Sequence, residues 1–169
     1  MKNLVIYSDF DGCPSKFDKQ ATMEELVTPQ YYRNTQPDMH YITMIKLLIN
    51  AGYEVRFLSK VLSQEIAEAK IAFLKDYGID VPFVAVPYDQ DKATYIKNDG
   101  LALLIDDFTP GLNDWEKYGD NFIGIKYYNG VNGTKGTWDG YSINSRMSAN
   151  KMAHTVMALA NLIQEDMAA

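Results

Sequence analysis

The chain has 169 residues, of which 47% are apolar, and this length is sufficient for a single domain, 1–169, with a sizeable core. Its 22 acidic and 16 basic residues leave a formal net charge of −6, so it lacks the positive field that gathers phosphate backbones non-specifically. A small molecule is therefore a stronger candidate partner than a nucleic acid. One cysteine, and no apolar run of about 18 residues, argue against disulfides, a membrane span and a signal peptide, and predict a cytoplasmic protein.

Short apolar runs alternate with helix-like segments along the chain. The runs typical of strands are Asn3–Ser8, Glu54–Ser59, Pro82–Val86, Leu101–Asp106 and Phe122–Tyr127. The helix-like segments are Met39–Ala51, Ser63–Tyr77, Asp91–Asn98, Asn113–Tyr118 and Ser148–Glu165. This alternation predicts a three-layer α/β fold, with right-handed crossovers and a central parallel sheet that helices cover on both faces.

Two stretches do not fit the alternation. Residues 14–37 follow the first strand and are too long for an ordinary connection, so we expect a small lid over the site, with one or two helical turns at Thr22–Val27. Turn signals at Asn129-Gly130 and Asn132-Gly133 predict a β-hairpin at about 128–141.

The first strand ends in two acids, Asp9 and Asp11, followed by a turn at Gly12. Residues two apart in an extended chain point the same way, so these carboxylates would repel each other unless a cation lay between them. The pattern favours either a magnesium site with a nucleophilic carboxylate or an ordinary Asp-Gly turn that closes a strand.

A second acidic pair, Asp106 and Asp107, ends the fourth strand. Because parallel strands bring their carboxyl ends to one edge of the sheet, we expect this pair to meet Asp9 and to complete the carboxylates of a Mg²⁺ site. Ser59 ends the second strand and Lys92 follows the third, and a hydroxyl and an ammonium are the groups that phosphoryl transfer requires beside a metal. Each also has a simpler explanation, since such serines often cap helices and exposed lysines are often only solvated.

The order Asp-x-Asp-Gly, Ser, Lys, Asp-Asp resembles the four motifs of the haloacid-dehalogenase-like (HAD) phosphatase superfamily. The resemblance implies a Rossmann-like core, Mg²⁺ dependence and a phospho-aspartyl intermediate. It implies that Asp9 is the nucleophile and a metal ligand, and that Asp11 is the general acid/base and places its backbone carbonyl on the metal. Ser59 would bind the transferring phosphoryl group and Lys92 would neutralise it.

For the last motif, the resemblance implies that Asp106 ligates Mg²⁺ and that Asp107 supports it. The proposed roles are chemically consistent, because a carboxylate nucleophile divides one displacement into formation and hydrolysis of an acyl phosphate. The acid/base must be protonated in the first step and deprotonated in the second, so the two acids of the first motif need different environments.

Within the superfamily, the chain is similar to the 5′(3′)-deoxyribonucleotidases. Tyr31-Tyr32-Arg33-Asn34 resembles their aromatic-Arg-Asn segment, and Asp91-Lys92-Ala93 with Leu104-Ile105-Asp106-Asp107 resembles their Asp-Lys-Thr and Leu-Ile-Asp-Asp. The similarity implies hydrolysis of nucleoside monophosphates, with lid aromatics stacked on the base, although clustered tyrosines are also typical of packing residues. The candidate substrate contacts are Gly12, Phe17, Tyr32, Arg33 and Lys60.

The chain departs from the family pattern at Cys13-Pro14-Ser15, in its short lid, and at Ser59-Lys60, where those enzymes have two hydroxyl residues. A small lid closes less of the site, so larger substrates could enter. Two alternatives therefore stay open. One is another HAD phosphatase, acting on the 3′ phosphate of a polynucleotide or on a small phosphorylated metabolite; the other is a non-catalytic nucleotide- or phosphate-binding module.

Overall fold

The computed structural model describes residues 3–97, 100–131 and 137–168. The strands in this part of the chain are β1 (Leu4–Ser8), β2 (Glu54–Val61), β3 (Phe83–Pro87), β4 (Leu101–Asp106), β5 (Phe122–Tyr128) and β6 (Tyr141–Asn144). The α-helices are α1 (Met23–Leu26), α2 (Pro29–Asn34), α3 (Met39–Asn50), α4 (Gln64–Asp76), α5 (Thr109–Glu116) and α6 (Ala149–Ala168).

The strands form one sheet in the order β3-β2-β1-β4-β5-β6, and every neighbouring pair is parallel. The chain moves outward from β1 to β3 and then returns to β4 on the other side of β1. Ligands of open α/β sheets bind at the carboxyl ends of the strands where the order reverses in this way. Asp9 follows β1 at that point and Asp106 ends β4. The predicted α/β fold with a central parallel sheet is confirmed.

Both faces of the sheet are covered by helices. On β4, Leu103 and Ile105 pack with α3, α4 and α6, whereas Ala102 and Leu104 pack on the opposite face with Trp115 of α5. Successive side chains point to opposite faces, so a strand buried on both sides needs a nearly continuous apolar sequence. None of the helices in the described part of the chain combines the length and the apolarity needed to cross a bilayer.

Residues 14–37 form an insertion whose ends lie side by side, and we call it the lid. The Lys16 N–H donates to the Gln36 carbonyl at 2.7 Å and closes the base of the lid. Thr22 and Glu25 form a reciprocal capping box that starts α1, as the hydroxyl and the acid three residues later allow. The second lid helix, α2, packs against α4. The lid is therefore anchored at its ends and along one side.

Two helix boundaries differ from the prediction. The helix expected at Asn113–Tyr118 begins at Thr109, because Pro110 lies in its first turn, where a missing N–H costs no intrahelical hydrogen bond. The helix expected at Asp91–Asn98 is a single 3₁₀ turn over Lys92–Tyr95, and its predicted last residue lies outside the described residues.

The hairpin predicted at about 128–141 falls partly on residues 132–136, which lie outside the described residues. The described residues on either side of this gap connect β5 to β6. These two strands are parallel neighbours, with Ile125 opposite Tyr141. They are therefore not the two arms of a hairpin. We did not predict β6, because Ile143 is its only buried residue and its apolar pattern is weak.

Leu103→Ala tests the position assigned to β4. Leu103 is fully buried, so its truncation should leave a cavity and lower the free energy of unfolding by about 2–5 kcal/mol. Leu162 on α6 is half-exposed, and Leu162→Ala should change that free energy by less than about 0.5 kcal/mol. Urea unfolding followed by circular dichroism measures both values. Equal losses of unfolding free energy in the two variants would contradict the buried position assigned to Leu103.

Candidate active site

Three charged side chains meet at the carboxyl edge of the sheet, where β1 and β4 are neighbours. Lys92 Nζ donates to Asp9 Oδ1 at 2.8 Å and to Asp106 Oδ2 at 2.7 Å. All three side chains are largely buried. A buried charge is costly unless it is paired and hydrogen-bonded, and here one ammonium serves two carboxylates.

Asp106 and Asp107 have different surroundings. Asp106 Oδ2 is bound by Lys92, and its Oδ1 accepts from the Phe108 N–H at 2.9 Å. Asp107 lies instead beside Asp9 and Cys13, with the potential ligand atoms of these three residues within 4.8 Å of one another. Asp107 therefore groups with Asp9, whereas Asp106 contacts Lys92, and the ligand and supporting roles of these two acids stay a prediction.

The donor set beside Asp9 fits a hard cation. Carboxylate oxygens are the ligands that Mg²⁺ prefers, and Mg²⁺ binds one or two of them while it keeps several waters. Burial, aided by the Asp107 and Asp9 carboxylates, raises the pKa of the Cys13 thiol well above its ordinary value. A thiol sulfur is a soft ligand, and a hard cation such as Mg²⁺ prefers oxygen. The ligands that this group of three residues can offer to a cation are therefore the carboxylate oxygens of Asp9 and Asp107.

Gly12 allows Asp107 to approach the loop after β1. Its φ is +74°, and a Cβ at this position would lie 2.1 Å from Asp107 Oδ2. Asn129, just after β5, donates from Nδ2 to the Gly12 carbonyl at 2.9 Å and to Asp107 Oδ2 at 3.2 Å. These contacts join the loop that carries both acids of the first motif to the end of β4.

Asp11 is held by a different lysine. Lys70, on α4, donates from Nζ to Asp11 Oδ2 at 2.6 Å, to Ser59 Oγ at 3.0 Å and to the Lys60 carbonyl at 3.1 Å. The Lys70 side chain is 1% exposed, whereas the Asp11 side chain is 43% exposed. The carboxylate is therefore anchored from inside the protein and remains accessible from the cleft.

Burial shifts the pKa values at this edge of the sheet. It raises the pKa of Asp9, against the opposing effect of Lys92, and raises the pKa of Asp11, against the opposing effect of Lys70. Burial also disfavours the Lys92 ammonium, but the carboxylates of Asp106 and Asp9 outweigh it and raise the pKa of Lys92. The site therefore combines a lysine, Lys92, whose charged form is favoured with an acid, Asp11, whose pKa is raised although its side chain is 43% exposed.

A cleft of about 460 Å³ opens beside these groups. Its charged lining residues include Asp9, Asp11, Lys60, Lys92, Asp106 and Asp107. Its aromatic lining residues are Phe17, Tyr88, Phe108, Trp115 and Tyr118. The Tyr118 hydroxyl donates to Asp91 Oδ2 at 2.9 Å. Because Asp91 precedes Lys92 in the chain, this hydrogen bond fixes the Tyr118 ring beside the charged end of the cleft.

Four of the predicted site residues do not line the cleft. Ser59 is fully buried and contacts Lys70, and Gly12 lies behind the two acids, against Asp107. The two others belong to the lid. Lys60 and Phe17, by contrast, line the cleft, and their role as substrate contacts stays a prediction.

The lid residues Tyr32 and Arg33 contact α4 instead of the cleft. The Tyr32 ring is buried, with its centroid 4.6 Å from Lys70 Nζ. Arg33 forms a surface ion pair with Asp76 at 2.9 Å. Because α2 packs against α4, this face of the lid helix serves to attach the lid, and the predicted substrate contacts at both positions find no geometric support.

Sequence reasoning missed Lys70, Lys126 and Asn129. Lys126 is buried in β5 and donates from Nζ to the Asp107 carbonyl and to Thr109 Oγ1 at 2.9 Å, and burial lowers its pKa. A signal existed for both lysines, because Lys70 interrupts the apolar stripe of α4 and Lys126 interrupts the apolar run of β5. No comparable signal marked Asn129, which stands in a turn-like Asn-Gly pair.

Comparison with known proteins identifies the fold. No protein-family model matches the chain, and no curated protein matches its sequence. The D,D-heptose 1,7-bisphosphate phosphatase from B. bronchiseptica, solved with magnesium and phosphate, superimposes with a TM-score of 0.61 at 13% identity, over 94% of this chain and 99% of that one. A chain of the Pnkp1/Rnl/Hen1 RNA repair complex superimposes with a TM-score of 0.60 at 15% identity, over 80% of this chain.

The present chain spans 44% of the length of that RNA repair protein and nearly all of the heptose bisphosphate phosphatase. The chain therefore shares the fold of these two structures, the HAD-like fold that the order of its motifs predicted.

Gly12→Ala tests the close approach of Gly12 and Asp107. The methyl group would collide with the carboxylate, and a left-handed backbone costs alanine about 1–2 kcal/mol by itself. Gly52→Ala is the matched control, since Gly52 has a φ of +89° and open space where its Cβ would lie. We expect Gly12→Ala to lower the free energy of unfolding by at least about 1 kcal/mol more than Gly52→Ala. Equal losses in chemical denaturation would show that Asp107 does not crowd Gly12.

Proposed function

We propose that this protein is a Mg²⁺-dependent phosphomonoesterase that forms an aspartyl-phosphate intermediate, and that its substrates are deoxyribonucleoside 5′-monophosphates. The observation that carries the proposal is that the two acids of the first motif are bound by separate lysines. Asp9 is paired with Lys92 at 2.8 Å and Asp11 with Lys70 at 2.6 Å. A nucleophile and an acid/base need such different environments if two like carboxyl groups are to perform different tasks.

The chemistry divides into two half-reactions. In the first, an Asp9 carboxylate oxygen attacks phosphorus, the bond between phosphorus and the ester oxygen breaks, and Asp11 gives its proton to the leaving oxygen. In the second, Asp11 takes a proton from water, which attacks the acyl phosphate and releases phosphate and the free Asp9 carboxylate. Burial raises the pKa of Asp11, which helps it to carry the proton that the first half-reaction consumes.

Lys92 lies where the phosphoryl group would be transferred. Its ammonium touches the proposed nucleophile, so it can neutralise phosphoryl oxygens without a change of position. Asp106 fixes this lysine from the other side. Asp9 and Asp107 would hold Mg²⁺, together with the Asp11 backbone carbonyl that the family resemblance implies. When bound, Mg²⁺ supplies further positive charge to the transferring group.

The aromatic lining of the cleft supports a planar leaving group. Tyr88, Phe108 and Tyr118 are all substantially exposed, and they surround the space next to Lys92. Exposed aromatic faces of this kind bind nucleobases by stacking. The cleft volume of about 460 Å³ lies within the usual range for small-ligand sites. The acidic chain, with its net charge of −6, argues for a free nucleotide over a polynucleotide.

Phosphate release from a substrate panel tests the proposed activity. We expect release from deoxyribonucleoside 5′-monophosphates in Mg²⁺ and none after chelation. Asp9→Asn should lower kcat at least about 10³-fold, because the covalent step loses its nucleophile. Asp80→Asn is the matched control, since Asp80 is exposed and precedes β3 at the opposite edge of the sheet.

The same panel contains a 3′-phosphorylated oligonucleotide, a sugar phosphate and heptose 1,7-bisphosphate. Preference for one of these would change the substrate class and keep the mechanism. Phosphate release that survives Asp9→Asn would contradict the aspartyl-phosphate intermediate, and no release from any substrate would contradict the enzymatic function.

Tyr118→Ala tests the proposed base-binding side of the cleft. The measurement is kcat/KM for a deoxynucleoside 5′-monophosphate divided by kcat/KM for deoxyribose 5-phosphate, which has no base. Stacking is worth about 1–3 kcal/mol per base, so the ratio should fall about 5- to 150-fold. Tyr141→Ala is the control, because Tyr141 is 39% exposed against 43% for Tyr118 and does not line the cleft. An unchanged ratio would place the base elsewhere.

A further inference from the structure

Lys70 is a buried cation that none of the four recognised motifs contains. It lies on the inner face of α4, eleven residues after Ser59, and its side chain is 1% exposed. A lysine is seldom buried unless it is paired, and here its partner is Asp11, the proposed acid/base. Among the described residues, the hydrogen bonds of the Asp11 carboxylate come from this lysine alone.

All three donors of the Lys70 ammonium are used. They bind Asp11 Oδ2 at 2.6 Å, Ser59 Oγ at 3.0 Å and the Lys60 carbonyl at 3.1 Å. An ammonium has three hydrogens, so no donor is left for a phosphoryl oxygen. Lys70 does not line the cleft either. It therefore acts on a substrate through its partners and not by contact.

Two aromatic rings enclose the ammonium. Nζ lies 4.6 Å from the centroid of Tyr32, in the lid, and 5.2 Å from the centroid of Phe10, between the two acids of the first motif. Both distances are within the range of cation–π attraction. The rings exclude water from the ammonium, so its bonds to Asp11 and Ser59 do not compete with solvent and are directionally fixed.

Asp11 needs such a restraint more than Asp9 does. Its side chain is 43% exposed at the cleft, where a short carboxylate is free to change rotamer. Lys70 binds Oδ2 and makes no hydrogen bond to Oδ1, and Asp11 lines the cleft. A carboxyl group that must protonate an ester oxygen has to lie within hydrogen-bond reach of it.

We propose that Lys70 is a positioning residue that fixes the Asp11 carboxyl group for proton transfer to the leaving group. The proposal rests on the proposed phosphomonoesterase function. Because Lys70 acts through Asp11, its loss should resemble the loss of Asp11 itself and should matter most where the leaving oxygen requires a proton.

Two phosphate esters distinguish this role from general structural support. An alkyl ester such as deoxythymidine 5′-monophosphate leaves as an alkoxide and needs the proton from Asp11, whereas p-nitrophenyl phosphate leaves as a stable phenolate and does not. The parameter kcat/KM reports the steps up to phosphoryl transfer. In Mg²⁺, Lys70→Met should lower kcat/KM for the alkyl ester at least about 10-fold more than for the aryl ester. This is part of the roughly 10²- to 10⁴-fold that general acid catalysis contributes, because Lys70→Met leaves Asp11 in place.

A second signature is expected before the steady state. Hydrolysis of the acyl phosphate also requires Asp11, so Lys70→Met should release p-nitrophenolate in a burst of about one equivalent per active site, followed by slow turnover. Lys75→Met is the matched control, since Lys75 is on the same helix and is exposed. It should keep both kcat/KM values. If Lys70→Met does not fold, as judged by circular dichroism, Lys70→Gln supplies the same comparison.

A double-mutant cycle completes the test. Asp11→Asn with Lys70→Met should be no slower towards the alkyl ester than Asp11→Asn alone, because the two residues act as one unit. Equal losses of kcat/KM for both esters, no loss for either, or additive effects in the cycle would overturn the positioning role while the enzyme function stands. If the unmodified protein hydrolyses neither ester, the proposed function fails and this proposal fails with it.

Discussion

The repulsion between carboxylates at one edge of the sheet is the constraint on which the rest of this structure depends. Four acids converge there, namely Asp9, Asp11, Asp106 and Asp107. The fold supplies cations from separate elements: Lys92 from the turn after β3, and Lys70 from α4. Each is largely buried and uses its donors on groups of the site, which is the condition under which buried charges become tolerable. The positions of α4 and of the 3₁₀ turn are therefore tied to the electrostatics of the site.

Sequence reasoning succeeded where a local pattern determines the structure. The strands of the sheet centre, such as β1 and β4, are buried on both faces and are consequently apolar throughout, so they are visible as short runs that end in acids. A local pattern does not determine the direction in which a side chain at a strand end points. Asp106 and Asp107 are adjacent, and adjacent residues at a strand end point to opposite sides. Their order in the chain does not say which neighbours each of them has, and in the structure Asp107 groups with Asp9 and Cys13 while Asp106 contacts Lys92.

Long-range contacts were a source of error. Lys70 is 59 residues from Asp11 in the chain, and the sequence records only that a lysine occupies the apolar stripe of α4. The lid presents the same difficulty, because α2 has six residues and its aromatic pair could face the cleft or α4. Packing against α4 decides the matter for Tyr32. The cleft aromatics Tyr88, Phe108 and Tyr118 stand singly in loops and at a helix end, so no cluster marked them.

The two acids of the first motif differ in exposure in a way that follows from their proposed tasks. A nucleophile must be held in line with phosphorus, and Asp9 is buried against a lysine that is itself anchored by Asp106. An acid/base must reach a leaving oxygen and later a water molecule, and Asp11 is 43% exposed. Exposure alone would leave Asp11 free to turn away from the substrate. Lys70, covered by a lid tyrosine, restrains the carboxylate from behind and leaves its cleft side open. The lid therefore influences the site from its inner face, where Tyr32 covers the buried ammonium that binds the proposed acid/base.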